Sequence, residues 1–337
     1  MKVLFISSGR KGFVNPIIQN QGDSLRRAGV EVDFFMVSGS GWRSYVQDVK
    51  PLRKQIKAGN YDVIHPHYAF CAYLVNMAAI GLRKPLVVSL MGSDIWQHKW
   101  YPAFVRMWAR LWNWKAIIVK SKEMRERVGI KRAIIVPNGV NMERFSEESR
   151  VESQEKLGWD RKKLHVLFPA DPGLARKNWP LAEGAVELLN KRLNELTDEI
   201  IVRDGVRKER VNGIELHGMV GVPNEQTPVM YNAADAVVLP SYYEGSANAV
   251  KEAMACNAPL VTTDMGDCRE RMEGVEGCYV AKTYEVEEFA ELLGKALKQG
   301  KTKGRERLLA DGIADWQIAE RLISIYQDVT KKEGKKQ

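Results

Sequence analysis

Two carboxylates, Glu244 and Glu252, bracket the start of a small-residue helix in "SYYEGSANAVKEAMACNAPLV", directly after the apolar strand "AVVLP". A strand, a turn at Gly245 and a helix opening over Ser246, Ala247 and Asn248 aim free backbone N–H groups at whatever lies above the turn. The positive end of the helix dipole points the same way, which makes a seat for phosphate. Glu244 precedes the helix and Glu252 lies about two turns into it, so they can reach opposite ends of one ligand. Carboxylates repel phosphate and suit sugar hydroxyls. A nucleotide sugar, with an anionic middle and hydroxyl-bearing ends, has that pattern. By spacing alone, Glu244 reads equally as a loop carboxylate capping the helix and Glu252 as a solvated helix position.

The elements that must position these groups are legible as alternation. The apolar runs "KVLFIS", "VEVDFFMV", "DVIHPH", "PLVVSL", "AIIVKS" and "AIIVP" are separated by stretches that can each hold a helix, and this predicts a parallel, doubly wound sheet. A polar stretch from Ser146 to Lys163 carries no strand signal. The alternation then restarts as "LHVLFPA", "EIIVRDG", "GIELHG", "AVVLPS", "PLVTTD" and "GCYVA". Two Rossmann-like α/β domains follow, with expected boundaries at 1–155 and 156–315. A closing amphipathic helix and basic tail over 316–337 carry Ile318, Leu322, Ile323 and Tyr326 on one stripe, expected to pack back toward the first domain.

Taken together, these residues resemble the family 4 glycosyltransferases, whose GT-B fold faces two Rossmann-like domains across a cleft. The resemblance runs through "GRKGFVNPIIQNQ", "DVIHPH", "VVSLMGSD", "VPNGVNMERF", "FPADPGLARKN" and "PSYYEGSANAVKEAMACNAPLVTTDMGD". The versions "FPADP" and "EAMAC" look most like bacterial enzymes of capsule, exopolysaccharide and teichuronic-acid-type polymer assembly. The resemblance implies a retaining transfer from a UDP-sugar or GDP-sugar to a hydroxyl of a glycan or lipid-linked acceptor. The second domain would bind the donor and the first the acceptor, with no metal or other cofactor.

Site residues carry over one at a time. Glu244 corresponds to the residue that contacts the donor sugar, and Glu252 to the one that holds ribose hydroxyls. Lys177 in "ARKN" fits the cation that meets the diphosphate, since fixed positive charge stabilises the leaving group as the bond breaks. The family's usual second cation, an Arg slightly earlier, is replaced here by Leu174, which leaves Arg176 as the nearest substitute. Neighbouring residues point in different directions, so Arg176 reads equally as solvent-facing. Gly12, in the Gly9 to Gly12 loop, resembles the flexible segment that approaches the donor phosphate. His67 and His65 close the third strand at the sheet's functional edge. His67 is expected as a catalytic contact and His65 as an acceptor contact, against the plainer reading of structural histidines. Relatives often carry a His in the next turn, where this chain has Met91-Gly92-Ser93-Asp94. Asp94 is expected to bind an acceptor hydroxyl or to cap the following helix.

Composition bounds the alternatives. Lys plus Arg number 51 against 42 Asp plus Glu, a net charge of +9, which favours anionic partners. Scattered charges without a helix-turn-helix, zinc-finger or RNA-binding signature argue against nucleic acid. No apolar run reaches the roughly 18 residues of a spanning helix, and "MKVLFISSGR" reads as a first strand, not a signal peptide. Cys71, Cys256, Cys268 and Cys278 lack metal-ligand or redox spacing, which fits a reducing cytoplasm. The aromatic segment 96–115 places Trp100, Phe104, Met107, Trp108, Leu111 and Trp112 on one stripe beside Arg106, Arg110 and Lys115. It is expected either to pack on the sheet or to touch the inner face of a membrane as a peripheral contact. A sugar-nucleotide epimerase on the same fold and a noncatalytic nucleotide-sugar binder are the competing functions.

Overall fold

A computed structural model describes residues 1–9, 14–37, 42–112, 114–193 and 211–334. The chain forms two compact units, Met1–Gly139 with Ile313–Gln337, and Val140–Gly312. The expected strand "EIIVRDG" lies outside the described residues.

In the first unit, strands β1 (Lys2–Ser8), β2 (Glu31–Val37) and β3 (Val63–Pro66) pair in the order β2-β1-β3. Strands β4 (Val87–Ser89), β5 (Ala116–Val119) and β6 (Ile134–Ile135) pair in the order β4-β5-β6. Parallel bridges between Ile64 and Leu86 and between His67 and Ser89 join the two triples. Every pairing is parallel. The short continuous apolar runs are those of strands covered on both faces, and β1 is buried from Val3 through Ser7.

The helix Asp315–Gly334 completes this unit: Ile318, Ala319, Leu322, Tyr326 and Val329 are buried against Val3, Phe5, Val63 and Ile118. Its start lies against Gly139, where a side chain would meet the Asp315 backbone at 2.7 Å, so only glycine fits at that position.

The second unit holds β7 (Leu164–Phe168), β8 (Ile214–Gly218), β9 (Ala236–Leu239), β10 (Leu260–Thr263) and β11 (Cys278–Ala281) in the parallel order β11-β10-β9-β7-β8. The chain leaves β7 to one side for β8 and returns on the other side at β9. The carboxyl ends of β7 and β9 therefore diverge at a topological switch point, where such sheets open a crevice.

The boundary expected at residue 155 is corrected to Gly139. The polar stretch after it belongs to the second unit because its partners are there. Arg150, in the helix Arg150–Leu157, pairs with Asp235 at 3.1 Å with both side chains 5% exposed. Gln154 donates to the Ala233 carbonyl at 2.9 Å, and Arg305 donates to the carbonyls of Met142 and Phe145, each at 2.7 Å. The second boundary falls at Ile313, slightly earlier than expected.

All four cysteines are buried free thiols. Among the described residues no helix is long and apolar enough to cross a membrane.

The aromatic stripe divides. The helix Tyr101–Leu111 buries Pro102, Val105 and Ala109, while Phe104 and Trp108 pack partly against Tyr73. Trp100, Met107, Leu111 and Trp112 are exposed.

Candidate active site

The carboxyl-end loops of β7 and β9 bring the charged residues together. After β7 the chain makes a single 3-10 turn, Ala175–Lys177, and Asn178 enters the left-handed region at φ 58° to start the helix Trp179–Lys191. The tight turn lets both neighbouring cations reach one target: Lys177 Nζ and Arg176 Nη1 each donate to Glu244 Oε1 at 2.6 Å. Lys177 is largely enclosed, whereas Arg176 keeps much of its side chain in solvent. Leu174, at the place of the usual Arg, is exposed and contributes no charge. The backbone N–H of Tyr242 donates to the Arg176 carbonyl at 3.0 Å, which ties the two loops directly.

Gly245, Ser246 and Ala247 are buried, and Ala247 stands at the cap position of the helix Asn248–Ala255 with no side-chain cap. Its first-turn N–H groups therefore lack the partner that a Ser or Asp cap would supply. Asn248 opens the helix, and its buried Oδ1 has no hydrogen-bond partner among the described residues. Glu252, partly buried, accepts from the Tyr231 hydroxyl at 2.9 Å. Burial pushes its carboxyl up, against the opposing pull of the Tyr231 hydrogen bond and the charges of Lys251, Arg144 and Lys177. Lys177 thus acts electrostatically on both glutamates.

A second layer holds the Glu244 loop in shape. Ser246 Oγ donates to Asp267 at 2.9 Å, Lys251 Nζ donates to Ser246 Oγ at 3.2 Å, and Arg271 donates to Asp267 at 3.1 Å. Burial lowers the Lys251 ammonium to about 8. Thr263 Oγ1 donates to the Ser241 carbonyl at 2.6 Å. Gly266 has φ +58°, and a side chain there would meet the Glu244 and Gly245 carbonyls at 2.8 and 2.9 Å. The sequence reading quoted "TTDMGD" without giving Asp267 or Gly266 a role, and it missed Lys251, Arg271 and Tyr231. A Gly-Asp pair just past a strand end was the one available signal.

The first unit does not present the expected ligand contacts. His65 is fully buried, its Nδ1 2.6 Å from the Tyr326 hydroxyl and its Nε2 2.8 Å from Ser89 Oγ. Both ring nitrogens are occupied, which corrects its assignment to the acceptor. His67 is 1% exposed, stacks on His65 with ring centroids 4.3 Å apart, and its Nε2 has no hydrogen-bond partner among the described residues. Burial drives both imidazoles well below their usual range, with the Lys120 charge adding to it, and they are neutral. Asp94 is buried and accepts the N–H groups of Ala69, Met91 and Gly92 at 2.9, 3.0 and 2.8 Å. It holds the turn after β4 to the start of the helix Ala69–Ala78 and has no oxygen facing outward for an acceptor. Gly12 lies outside the described residues.

Two family models match the chain: Glycosyltransferase Family 4 over residues 17–144 and Glycosyl transferases group 1 over residues 176–299. The chain belongs to the family 4 glycosyltransferases.

The putative teichuronic acid biosynthesis glycosyltransferase TuaC of Bacillus subtilis (strain 168) is 30% identical over 221 residues, covering 61% of this chain and 54% of TuaC. The chain thus matches about half the length of that relative. Among solved structures, sucrose-phosphate synthase from Thermosynechococcus elongatus superposes with a TM-score of 0.74 at 17% identity, covering 98% of this chain and 99% of the other. Anabaena HepE in complex with UDP and glucose does so with a TM-score of 0.70 at 15% identity, covering 97% and 100%. These likenesses establish the GT-B fold, with its two parallel α/β units.

Proposed function

We propose that this protein is a retaining glycosyltransferase that moves a sugar from a UDP-sugar or GDP-sugar to a hydroxyl of a glycan or lipid-linked acceptor in bacterial surface polysaccharide synthesis. The observation that carries this is the convergence of Lys177 and Arg176 on Glu244 beside an uncapped helix start, with Glu252 farther along the same helix. A donor's diphosphate is a stronger partner for the two cations than one shared carboxylate oxygen. On binding, it takes Lys177, Arg176 and the first-turn N–H groups, and Glu244 is released to accept hydroxyls of the donor sugar. Glu252, oriented by Tyr231, accepts the ribose hydroxyls. The bound UDP and glucose of HepE and the polymer pathway in the name of TuaC support the donor class and the setting.

In the step itself, the acceptor oxygen bonds to the anomeric carbon as the bond from that carbon to the diphosphate oxygen breaks. The leaving phosphate takes the acceptor's proton on the same face, which retains configuration. Lys177 and Arg176 supply the positive charge for the diphosphate, so this reading requires no metal.

A lipid-linked acceptor also suits the surface of the first unit. Trp100, Met107, Leu111 and Trp112 are exposed, and Arg106 and Arg110 of the same helix line an open cavity of 490 Å³ with Lys131 and Arg132, so basic and aromatic groups suited to an anionic leaflet lie on this helix. Cosedimentation with phosphatidylglycerol vesicles but not with phosphatidylcholine vesicles is the expected result.

The activity test incubates the protein with UDP-sugars and GDP-sugars, with and without polyprenyl diphosphate-linked glycan acceptors, and follows nucleoside diphosphate release. Release that requires acceptor supports transfer. Conversion of the donor sugar without acceptor would make the protein an epimerase, and donor binding without turnover would make it a noncatalytic binder.

A further inference from the structure

One cluster of metal-capable side chains stands apart from the donor residues. His165 on β7 is in register with Glu215 on β8, the outermost strand of that sheet among the described residues, and His217 follows Glu215 on the same face of β8. His165 Nδ1 and His217 Nε2 are 2.9 Å apart, and Glu215 Oε2 lies 3.7 Å from the first and 3.9 Å from the second. Donors bonded to one tetrahedral zinc at about 2.0–2.1 Å stand roughly 3.3–3.4 Å from each other. The three measured separations bracket that value, so small side-chain shifts bring all three onto one ion.

The surroundings are those of a ligand set. His165 Nε2 is 2.9 Å from the Asp160 carbonyl, which can only accept, so Nε2 carries the proton and the Nδ1 lone pair points into the cluster. A metal-binding histidine is oriented by the same kind of outer hydrogen bond. Trp159 stacks on His217 with ring centroids 3.9 Å apart and planes within 10°, which holds that ring in place. Lys163 occupies the other oxygen of Glu215 and leaves Oε2 for the cluster. His165 is fully buried while Glu215 and His217 are partly exposed, so the fourth position opens to solvent.

We propose that His165, Glu215 and His217 form a binding site for one divalent transition-metal ion of the zinc or nickel type, with water as its fourth ligand. Without the ion, His217 Nε2–H donates to His165 Nδ1. On binding, that proton passes through solvent to Nδ1 of the same ring, both imidazoles stay neutral, and no oxidation state changes. The cluster ties β7 to β8, whereas the donor residues follow the carboxyl ends of β7 and β9. The ion would bridge the adjacent strands β7 and β8, away from the donor residues.

The test uses the full chain without a histidine tag, stripped by chelator, and titrated calorimetrically with zinc and separately with cobalt in the absence of nucleotide. The expected result is one equivalent bound, a higher melting temperature and the visible absorption of tetrahedral cobalt. His217→Gln and Glu215→Gln, each checked for fold by circular dichroism, are expected to weaken binding by about tenfold or more, while Glu252→Ala leaves it unchanged. No stoichiometric binding, or binding that is indifferent to both substitutions, overturns the proposal.

Discussion

The two units place polar residues at the same topological position, the carboxyl edge beside a switch point, and treat them in opposite ways. In the second unit Lys177 and Arg176 share a single carboxylate oxygen of Glu244 in a partly exposed cluster. In the first, His65, His67 and Asp94 are at most 1% exposed, and His65 and Asp94 spend their hydrogen bonds on Tyr326, Ser89 and the backbone. Position in a doubly wound sheet makes a residue a candidate. Where the fold already satisfies a residue's polar atoms, as it does for His65 and Asp94, that residue serves as scaffold.

The contrast predicts that substitutions in the second unit cost activity while those in the first cost stability. The largest effect is expected for Lys177→Ala, a drop of about 100-fold or more in kcat, comparable to losing a preorganised charge-stabilising group. Its unfolding midpoint in urea stays near wild type. Steady-state kinetics alongside urea melts check both halves, and a large stability loss with normal kcat would collapse the distinction.

Next is Asp94→Ala, which strands three backbone N–H groups in the interior. A loss of about 3 kcal/mol follows at the usual cost of unsatisfied buried donors, measured by urea unfolding. Donor affinity, measured at a temperature where the variant is folded, is expected to be unchanged.

Tyr326→Phe removes one hydrogen bond to a buried, neutral His65, for a loss of about 1 kcal/mol in the same assay.

The smallest effect sharpens the comparison through pH. Burial lowers the folded-state pKa values of His65 and His67, so the unfolded chain takes up protons first as pH falls. Their contribution to stability is complete above about 6.5 and is lost progressively below it. His67→Phe keeps the ring stack while removing a buried ring nitrogen that has no hydrogen-bond partner among the described residues. It is expected to change stability at pH 8 by less than about 1 kcal/mol and to flatten the decline between pH 6.5 and 5. An unchanged acid slope would remove His67 from this account.

Much of the fold was legible because parallel strands buried on both faces read as continuous apolar runs, and each described run found its strand. The boundary was not legible. Arg150, Gln154 and Met142 look like linker residues until Asp235, Ala233 and Arg305 are brought to them from far along the chain. The grouping of Glu244 and Lys177 was readable because both lie in local strand-turn-helix segments whose geometry is set nearby. That Arg176 would join Lys177 on Glu244 depended on the 3-10 turn, which no residue type announces. His65 and Asp94 misled for the opposite reason, since their partners Tyr326, Ser89 and the Ala69 N–H arrive only with tertiary structure. The aromatic stripe was legible only in part: Phe104 and Trp108 pack inward, but small Val105 and Ala109 take the buried face and leave Met107 and Leu111 outside.

The most direct test of the central claim, that the second unit's charged cluster is a nucleoside diphosphate sugar site, is calorimetric titration of UDP and GDP into wild type, Lys177→Ala, Glu252→Ala and His67→Phe. The account predicts saturable binding of one nucleotide to wild type and to His67→Phe, with affinity strongly reduced in Lys177→Ala and Glu252→Ala. Binding of neither nucleotide at millimolar concentration, or equal binding by all four proteins, would contradict it.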